Sequence, residues 1–412
     1  MPAPAGALPA KRALTFIFIT VALDIIAFGI AVPVLPKLIE AFLGGDTAHA
    51  ARWYGVFGTV WALMQFIFSP LLGALSDRFG RRPVILVSLF GLGVDYIVMA
   101  LAPSIAWLLV GRTISGICGA SYTTAGAYIA DVTTEENRAA GFGMIGAAWG
   151  LGFVLGPAIG GVLGASDPRL PFWVSAAVVL LNWLYGYFLL PESLPPEKRG
   201  KFNAARANPL GALKLLRSHH ELFGLAAVNM LYYLSHQVLP SVFVLYVGFR
   251  YGWDIRTVGL TMAVIGIASS IVQGGLIRPT VKRIGERRAL LAGLASAFLS
   301  SVIYAVAPTG HWFWLGVPFG AFAGFFGPAV QGLMTKRVQH HEQGQLQGAN
   351  SSLQGIVGMI GPGLFTLTLS WAVNHKATLP GAPFYLAAAI LLAAIITAVI
   401  VAPAEPERAA AP

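Results

Sequence analysis

The chain has 412 residues, of which 56% are hydrophobic and only 11% are charged. Soluble globular domains are about 25% charged, so this composition argues against a soluble fold. The net charge of +10 at neutral pH would indicate nucleic-acid binding only if the basic residues formed a stripe on a soluble face. They lie instead in short polar segments between apolar runs, so we expect a lipid bilayer and no nucleic acid as partner.

Apolar runs with few charged residues occur along the whole chain. Crossing about 30 Å of hydrocarbon as a helix takes about 20 such residues. The pattern predicts an all-α polytopic membrane protein with twelve transmembrane helices over residues 13–36, 52–75, 82–102, 105–130, 141–164, 170–191, 222–248, 257–280, 287–307, 310–334, 345–372 and 381–402.

The distribution of basic residues predicts the orientation of these helices. With the amino terminus inside the cell, 20 of the 27 lysines and arginines fall in inner loops and tails, and six fall in outer loops. Cytoplasmic loops of membrane proteins carry such an excess. We therefore expect a multi-pass protein of the bacterial inner membrane with both termini in the cytoplasm.

The two halves of the chain repeat each other at an offset of 205 residues. The segment FVLGP (153–157) aligns with GMIGP (358–362), RFGRR (78–82) with RIGER (283–287), and Gly111 with Gly316. A polar stretch that begins with PESLPPEKRGK separates the halves. The sequence thus predicts a six-helix bundle over 1–191, a cytoplasmic linker over 192–221 and a second six-helix bundle over 222–412. Parallel repeats of this kind build transporters that bind substrate near the midplane and expose it alternately to each side.

Three ionisable residues lie deep in the predicted helices of the first half, namely Asp24, Asp95 and Arg112. Charged groups inside a bilayer are costly and mark ion pairs or functional sites. One interpretation is a structural ion pair that joins three helices. In the other, two acids and one arginine leave one carboxyl free to carry a proton, with Asp24 as the carrier and Asp95 and Arg112 tuning it. Asn229 occupies the repeat position of Asp24, so proton coupling would belong to the first half.

Uncharged polar residues in the predicted helices are candidates for substrate contacts. Each can instead serve a helix-to-helix hydrogen bond. Together they fit the lining of an amphipathic cavity, and the predicted substrate-binding set is Gln65, Tyr122, Asn229, Gln237, Gln273, Gln331 and Asn350. We predict no metal site in the protein itself.

The loop between the second and third predicted helices reads GALSDRFGRRP, over residues 73–83. Inner loops are expected to be basic, but that rule does not explain the order of these residues. They match G-x-L-[SA]-D-R-x-G-R-[RK], and the chain resembles the major facilitator superfamily along its whole length. The resemblance assigns a cytoplasmic gate to Gly73, Asp77, Arg78, Gly80, Arg81 and Arg82.

The fifth predicted helix contains GAAWGLGFVLGPAIGG, over residues 146–161. Glycines allow close approach of helix backbones and proline bends a helix, so tight packing alone could explain the segment. It is also similar to the antiporter motif of the superfamily. The similarity implies that the protein exports its substrate, and it assigns the motif to Gly152, Gly156, Pro157, Gly160 and Gly161.

Several segments resemble the bacterial tetracycline/proton antiporters, among them LPKL, GVDY, GRTISGICGA, YIADVTTEENR and EQGQLQG. The resemblance implies proton-coupled efflux of a tetracycline-like drug, with Asp24, Asp95 and Arg112 in proton coupling and Gln65 at the substrate. It also implies that the drug enters as a magnesium chelate, without any cofactor. The sequence departs from this group at Ala297, where the group has an acid, and at Ser269, where it has a histidine.

Three other interpretations are kept open. The protein could export another drug or metabolite by proton coupling, or it could import a nutrient with the same fold. A membrane-embedded enzyme or receptor would need a catalytic constellation or a sizeable soluble domain, and the sequence has neither. A G-x-x-x-x-G-K-[ST] phosphate loop is also missing, which favours an ion gradient over ATP as the energy source. We expect a monomeric transporter of small molecules and protons.

Overall fold

The computed structural model describes residues 10–120, 122–200, 215, 220–339, 342–375 and 379–402. Much of the predicted linker, namely residues 201–214 and 216–219, lies outside the described residues. Residues 1–9 of the first predicted bundle and residues 403–412 of the second also lie outside the described residues.

The first half of the described chain consists of helices joined by short turns. Their bounds are α1 Ala10–Ala31, α2 Leu35–Phe42, α3 Thr47–Phe79, α4 Arg81–Leu101, α5 Ile105–Gly119, α6 Tyr122–Val132, α7 Glu135–Ser166 and α8 Leu170–Leu189. A single 3₁₀ turn, Pro196–Lys198, follows in the early linker.

The second half is also helical. Its helices are α9 His220–His236, α10 Val238–Tyr251, α11 Ile255–Ile271, α12 Ile277–Ile284, α13 Glu286–Val306, α14 Gly310–Trp314, α15 Gly316–Phe322, α16 Phe326–Thr335, α17 Gln343–Asn374 and α18 Ala382–Val401. A π-helical turn, Val272–Leu276, joins α11 to α12, and a 3₁₀ turn, Ala323–Phe325, joins α15 to α16.

The described residues contain eleven stretches long and apolar enough to cross a membrane. They coincide with eleven of the twelve predicted spans. The other predicted span, 105–130, is described as α5 and α6 on either side of residue 121. The all-helical, multi-pass fold predicted from the sequence is confirmed.

The described residues form two compact units. Unit 1 is drawn from Met1–Gly45, Val60–Asn208 and Asp254–Val264, and unit 2 from Asp46–Thr59, Pro209–Trp253 and Ile265–Pro412. In unit 1, α1 packs on α7 and α8, and α4 packs on α8 and α5. In unit 2, α18 packs on α9 and α13, and α13 also packs on α15 and α16. The functional division at 191 and 221 stays a prediction.

The 205-residue repeat is visible where α4 and α13 begin. Both helices have 21 residues and start one position after a glycine with positive φ, at 102° for Gly80 and 82° for Gly285. L-residues with side chains rarely adopt this backbone conformation, so glycine is required at both turns. The same turn therefore starts the same helix in each half.

Two aspartates outside the spans cap helices. A carboxylate oxygen of Asp46 accepts the backbone N–H of His49 at 2.9 Å, before α3, and one of Asp254 accepts that of Thr257 at 2.8 Å, before α11. Such caps satisfy donors that have no partner within the helix. Hydrogen bonds from the side chain of His49 and, next, from its backbone N–H hold the pKa of Asp46 below the usual aspartate value, and those from the side chain and backbone of Thr257 do the same for the pKa of Asp254.

Candidate functional site

Unit 1 places Asp24, Asp95 and Arg112 on three different helices, α1, α4 and α5, and buries all three side chains. Tyr96, beside Asp95 on α4, lies close enough to interact electrostatically with all three charged groups. The structure thus brings the predicted proton-coupling residues into one neighbourhood around a tyrosine.

Asp24 has a polar partner on α6. The hydroxyl of Tyr122 lies close enough to the carboxylate of Asp24 to interact with it, and the ring of Tyr122 packs against Trp149 of α7 with centroids 5.5 Å apart. Trp149 in turn stacks on Phe153. A residue predicted to contact substrate therefore touches a residue predicted to carry the proton.

Asp95 is completely buried, and Ser115 lies close enough to interact with its carboxylate, but neither carboxylate oxygen makes a hydrogen bond of normal geometry with a described residue. The Nε of Arg112 also lacks a partner there, and the ion pairs within 4.0 Å in the described chain do not include Asp95 with Arg112. The two groups are close enough for electrostatic attraction. Asp95 and Arg112 are therefore electrostatic neighbours without a direct hydrogen bond.

The glycines of the 146–161 segment bring α7 against α1 just beyond Asp24. A Cβ added at Gly156 would lie 2.6 Å from the Cα of Gly29, and one added at Gly152 would lie 2.9 Å from the Cβ of Ile25, the neighbour of Asp24. Such distances exclude any side chain without a backbone shift. Within unit 1, Gly161 faces Gly259 of α11 as closely, since an added Cβ would lie 2.8 Å from its Cα. The predicted antiporter segment thus fixes the position of the helix that carries Asp24.

The 73–83 segment forms an ionic cluster around Arg81 at the start of α4. The Arg81 guanidinium donates to Asp77 and to Ser76 of α3, and its Nε donates to Asp131 of α6 at 3.0 Å. Asp77 is mostly exposed, whereas Arg81 is buried. Arg82 donates to the carbonyl of Tyr187 on α8. Arg78 lies over the ring of Phe79, and an added Cβ on Gly73 would contact nothing within 4 Å.

The first residues of the linker dock onto this cluster, and the sequence did not single them out. The carboxylate of Glu192 accepts the backbone N–H of Arg81 at 2.8 Å, and Ser193 donates to Asp131 at 3.0 Å. The N–H of Gly200 donates to the carbonyl of Asp77 at 3.1 Å. No pattern in the sequence indicates these contacts, because they join residues that are distant along the chain.

Unit 2 joins three of the predicted substrate-binding residues in a chain of carboxamides. Nδ2 of Asn229 on α9 donates to Oδ1 of Asn350 on α17, and Nδ2 of Asn350 donates to Oε1 of Gln331 on α16, each at 3.2 Å. Oδ1 of Asn229 and Nε2 of Gln331 have no partner in the described chain. A head-to-tail chain of this kind leaves one acceptor and one donor at its ends, whichever way the amides point.

The other predicted substrate residues do not join this chain. Nε2 of Gln65 on α3 lies beside Gly119 of α5 in unit 1, at 3.0 Å from an added Cβ. Gln237 precedes α10 and packs on Gly361 of α17. Gln273 is exposed in the π-helical turn between α11 and α12.

Comparison with known proteins decides the family. The family model described as Major Facilitator Superfamily matches residues 17–362, most of the chain. The chain belongs to the Major Facilitator Superfamily.

Several superfamily members of known name are similar to this chain. The class C tetracycline resistance protein of Escherichia coli is 38% identical over 382 residues, covering 91% of this chain and 95% of that protein. The class G protein of Vibrio anguillarum is 37% identical, covering 89% and 93%. The predicted resemblance to tetracycline resistance proteins is confirmed.

Two solved transporter structures are similar in fold to this chain. The crystal structure of the human organic anion transporter MFSD10 has a TM-score of 0.71 at 25% identity, covering 95% of this chain and all of that chain. A nucleoside transporter, NupG, has a TM-score of 0.77 at 14% identity, covering 95% and 100%. The second likeness concerns the fold alone.

The two departures from the antiporter group lie in unit 2. Ala297 on α13 is buried in an apolar cluster that includes Leu294 and Phe326. Ser269 on α11 is half-buried. The position of the missing acid is therefore part of an apolar cluster and holds no polar group.

Proposed function

We propose that the protein exports amphipathic, tetracycline-like drugs across the bacterial inner membrane in exchange for protons, by alternating access. The observation that carries this proposal is the group of two buried carboxyls, Asp24 and Asp95, around one arginine, Arg112. Helix packing alone would not favour ionisable residues at this depth, because each ionised group in hydrocarbon costs at least about 2.5–3.5 kcal/mol.

In this proposal Asp24 takes up and releases the proton. Its contact with Tyr122 would link its protonation state to an aromatic patch formed with Trp149 and Phe153. Asp95 and Arg112, which lack direct hydrogen bonds to each other, re-pair when Asp24 changes charge. Protonation of Asp24 then favours release of the drug outside, so that proton and drug use the same route in opposite directions.

The Arg81 cluster supports the role of a cytoplasmic gate. Its ionic contacts join α3, α4, α6 and the first linker residues on one end of unit 1. Separation of these helix ends requires these contacts to break. The Asp77 side chain is mostly exposed, and ion pairs with an exposed partner contribute only about 0.2–1 kcal/mol, so this contact can break at low cost.

Tetracycline-like drugs are the cargo that the relatives favour, given the 38% identity to the class C tetracycline resistance protein. The Asn229–Asn350–Gln331 chain would face the hydroxyl, carbonyl and amide groups of such a drug. We propose that the drug travels as a magnesium chelate, the metal being part of the cargo and not a cofactor of the protein. Export of a different drug is the second candidate, because Ala297 and Ser269 replace the acid and the histidine of the group.

The proposal also includes an orientation in the membrane, which follows from the charge distribution. Both termini would be cytoplasmic because most basic residues would then face inward. The protein would act as a monomer, and it would transport its cargo without covalent chemistry.

Drug accumulation in bacterial cells tests the proposal. Cells without another tetracycline exporter would be loaded with tetracycline while expressing either the wild type or Asp24→Asn. The proposal predicts low accumulation in wild-type cells, which a protonophore raises to the level of the Asp24→Asn cells. Equal accumulation with wild type and empty vector, with the protein present in the membrane, would contradict it.

A further inference from the structure

The two halves contain the same inner ion pair with opposite charges. In unit 1, Nε of Arg81 lies 3.0 Å from Oδ2 of Asp131. In unit 2, Nζ of Lys336 lies 2.6 Å from Oε2 of Glu286. The 205-residue offset places Glu286 on Arg81 and Lys336 on Asp131, so both partners coincide in the repeat while both signs are reversed.

The backbone around the two pairs is alike. Arg81 and Glu286 are each the first residue of their helix, after a positive-φ glycine. Asp131 lies in the last turn of α6, and Lys336 is the residue that ends α16. Glu286 also approaches α16 closely, because a Cβ on Gly332 would lie 2.6 Å from its Oε1. Each pair therefore ties the start of one helix to the end of another.

The reversal matters because the ends of a helix carry partial charges. The amino end is positive and the carboxyl end is negative, so an acid at the start and a base at the end are both stabilised. Glu286 and Lys336 satisfy both preferences. Arg81 and Asp131 violate both, and α4 obtains an acid at its start only from Glu192, which accepts the Arg81 N–H at 2.8 Å.

We propose that Glu286 and Lys336 form a fixed strut that positions α13 against α16 throughout the transport cycle, whereas the oppositely oriented Arg81–Asp131 pair is the one that opens. This inference rests on the proposed alternating-access function. It assigns the two repeats different mechanical roles. The helix-end charges reinforce the strut and weaken the gate.

Covalent replacement of the strut is the direct test. In a background with the only cysteine removed, Cys118→Ser, the substitutions Glu286→Cys and Lys336→Cys would be introduced together and joined by a short bifunctional maleimide. Because the Lys336 side chain is 60% exposed, we expect the uncrosslinked protein to melt about 1–3 °C below the background and the crosslinked protein to melt at or above it. We also expect the crosslinked protein to retain at least half of the tetracycline-driven proton flux in liposomes.

Two results would overturn the proposal. One is a crosslinked protein that has lost transport while the uncrosslinked one is active, since the pair would then have to open. The other is an uncrosslinked protein that melts like the background. Melting in detergent needs no substrate, so this part decides the strut even if the wild type moves no tetracycline and the proposed function fails.

Charge reversal provides a second test that does not depend on crosslinking. Glu286→Lys alone places two cations together and should lower the melting temperature by several degrees. Adding Lys336→Glu should restore most of the loss but not all of it, because the restored pair opposes the helix-end charges. A double variant that is no more stable than Glu286→Lys would show that the two residues do not act as a pair.

Discussion

Glu192 accepts the backbone N–H of Arg81 at 2.8 Å, across 111 residues of sequence. This contact places a carboxylate at the start of α4, where the first residue is an arginine and the preceding glycine has no side chain to cap the helix. The same carboxylate oxygen accepts the N–H of Leu194 at 3.1 Å, and the other oxygen lies 3.8 Å from Arg199. One acid thus joins the early linker to the proposed gate.

Removal of this acid should weaken the gate. Glu192→Ala removes a helix cap, and such losses destabilise by about 0.5–2 kcal/mol. We expect a lower melting temperature in detergent and a lower rate of drug export. Glu192→Asp should recover part of both. The matched control is Glu197→Ala, an exposed acid in the same segment, and equal behaviour of the two alanine variants would refute the capping role.

The glycine contact between α7 and α1 should tolerate no side chain. Gly156→Ala would bring a Cβ to 2.6 Å from the Cα of Gly29, and overpacking of this kind costs about 1–3 kcal/mol. Because Gly29 lies on the helix of Asp24, transport should fall together with stability. Gly146→Ala on the same helix is the control, since a Cβ there has nothing within 4 Å. If both variants export tetracycline at the wild-type rate, α1 and α7 are not held by this contact.

The carboxamide chain should respond most strongly at its middle member. Asn350→Ala breaks two hydrogen bonds, whereas Asn229→Ala and Gln331→Ala each break one. With about 0.5–1.5 kcal/mol for each hydrogen bond, Asn350→Ala should destabilise by the most. The KM for tetracycline should rise in all three variants if the chain contacts the drug. Melting curves and concentration series of transport check both statements, and an unchanged KM would reduce the chain to helix packing.

The helix-capping aspartates should not contribute to the pH dependence of transport. Hydrogen bonds lower the pKa of Asp46 and the pKa of Asp254 in the folded protein. Their stabilisation is therefore present above the unfolded-state pKa and is lost only as the pH falls through the lowered folded value. Both groups stay ionised across the neutral range. Asp46→Asn and Asp254→Asn should leave the pH profile of transport between pH 6 and 8, roughly the range where histidine titrates, unchanged. A shifted pH profile in either variant would show that these loop aspartates take part in proton coupling.

The fold could be predicted from the sequence because each membrane span needs a long apolar run, and each run can be recognised without knowledge of the others. The sequence also placed Asp95 and Arg112 deep in neighbouring predicted helices, and the structure brings them close together.

The contacts of the gate were harder to predict because they join residues that are distant in sequence. Nothing in PESLPPEKR indicates that Glu192 meets Arg81, since the position of the linker depends on how α6 and α8 pack. The charge reversal at Glu286 and Lys336 could be read from the aligned halves. Its significance depends on the helix ends, which the structure supplies.

The most direct test of proton coupling is a measurement in liposomes with an imposed pH gradient. Proton movement would be recorded after addition of magnesium–tetracycline, for the wild type, Asp24→Asn and Asp95→Asn. The account predicts proton movement with the wild type and none with Asp24→Asn, although both proteins are folded. Drug-dependent proton movement of the same size with Asp24→Asn would contradict it, because Asp24 could not then be the proton carrier.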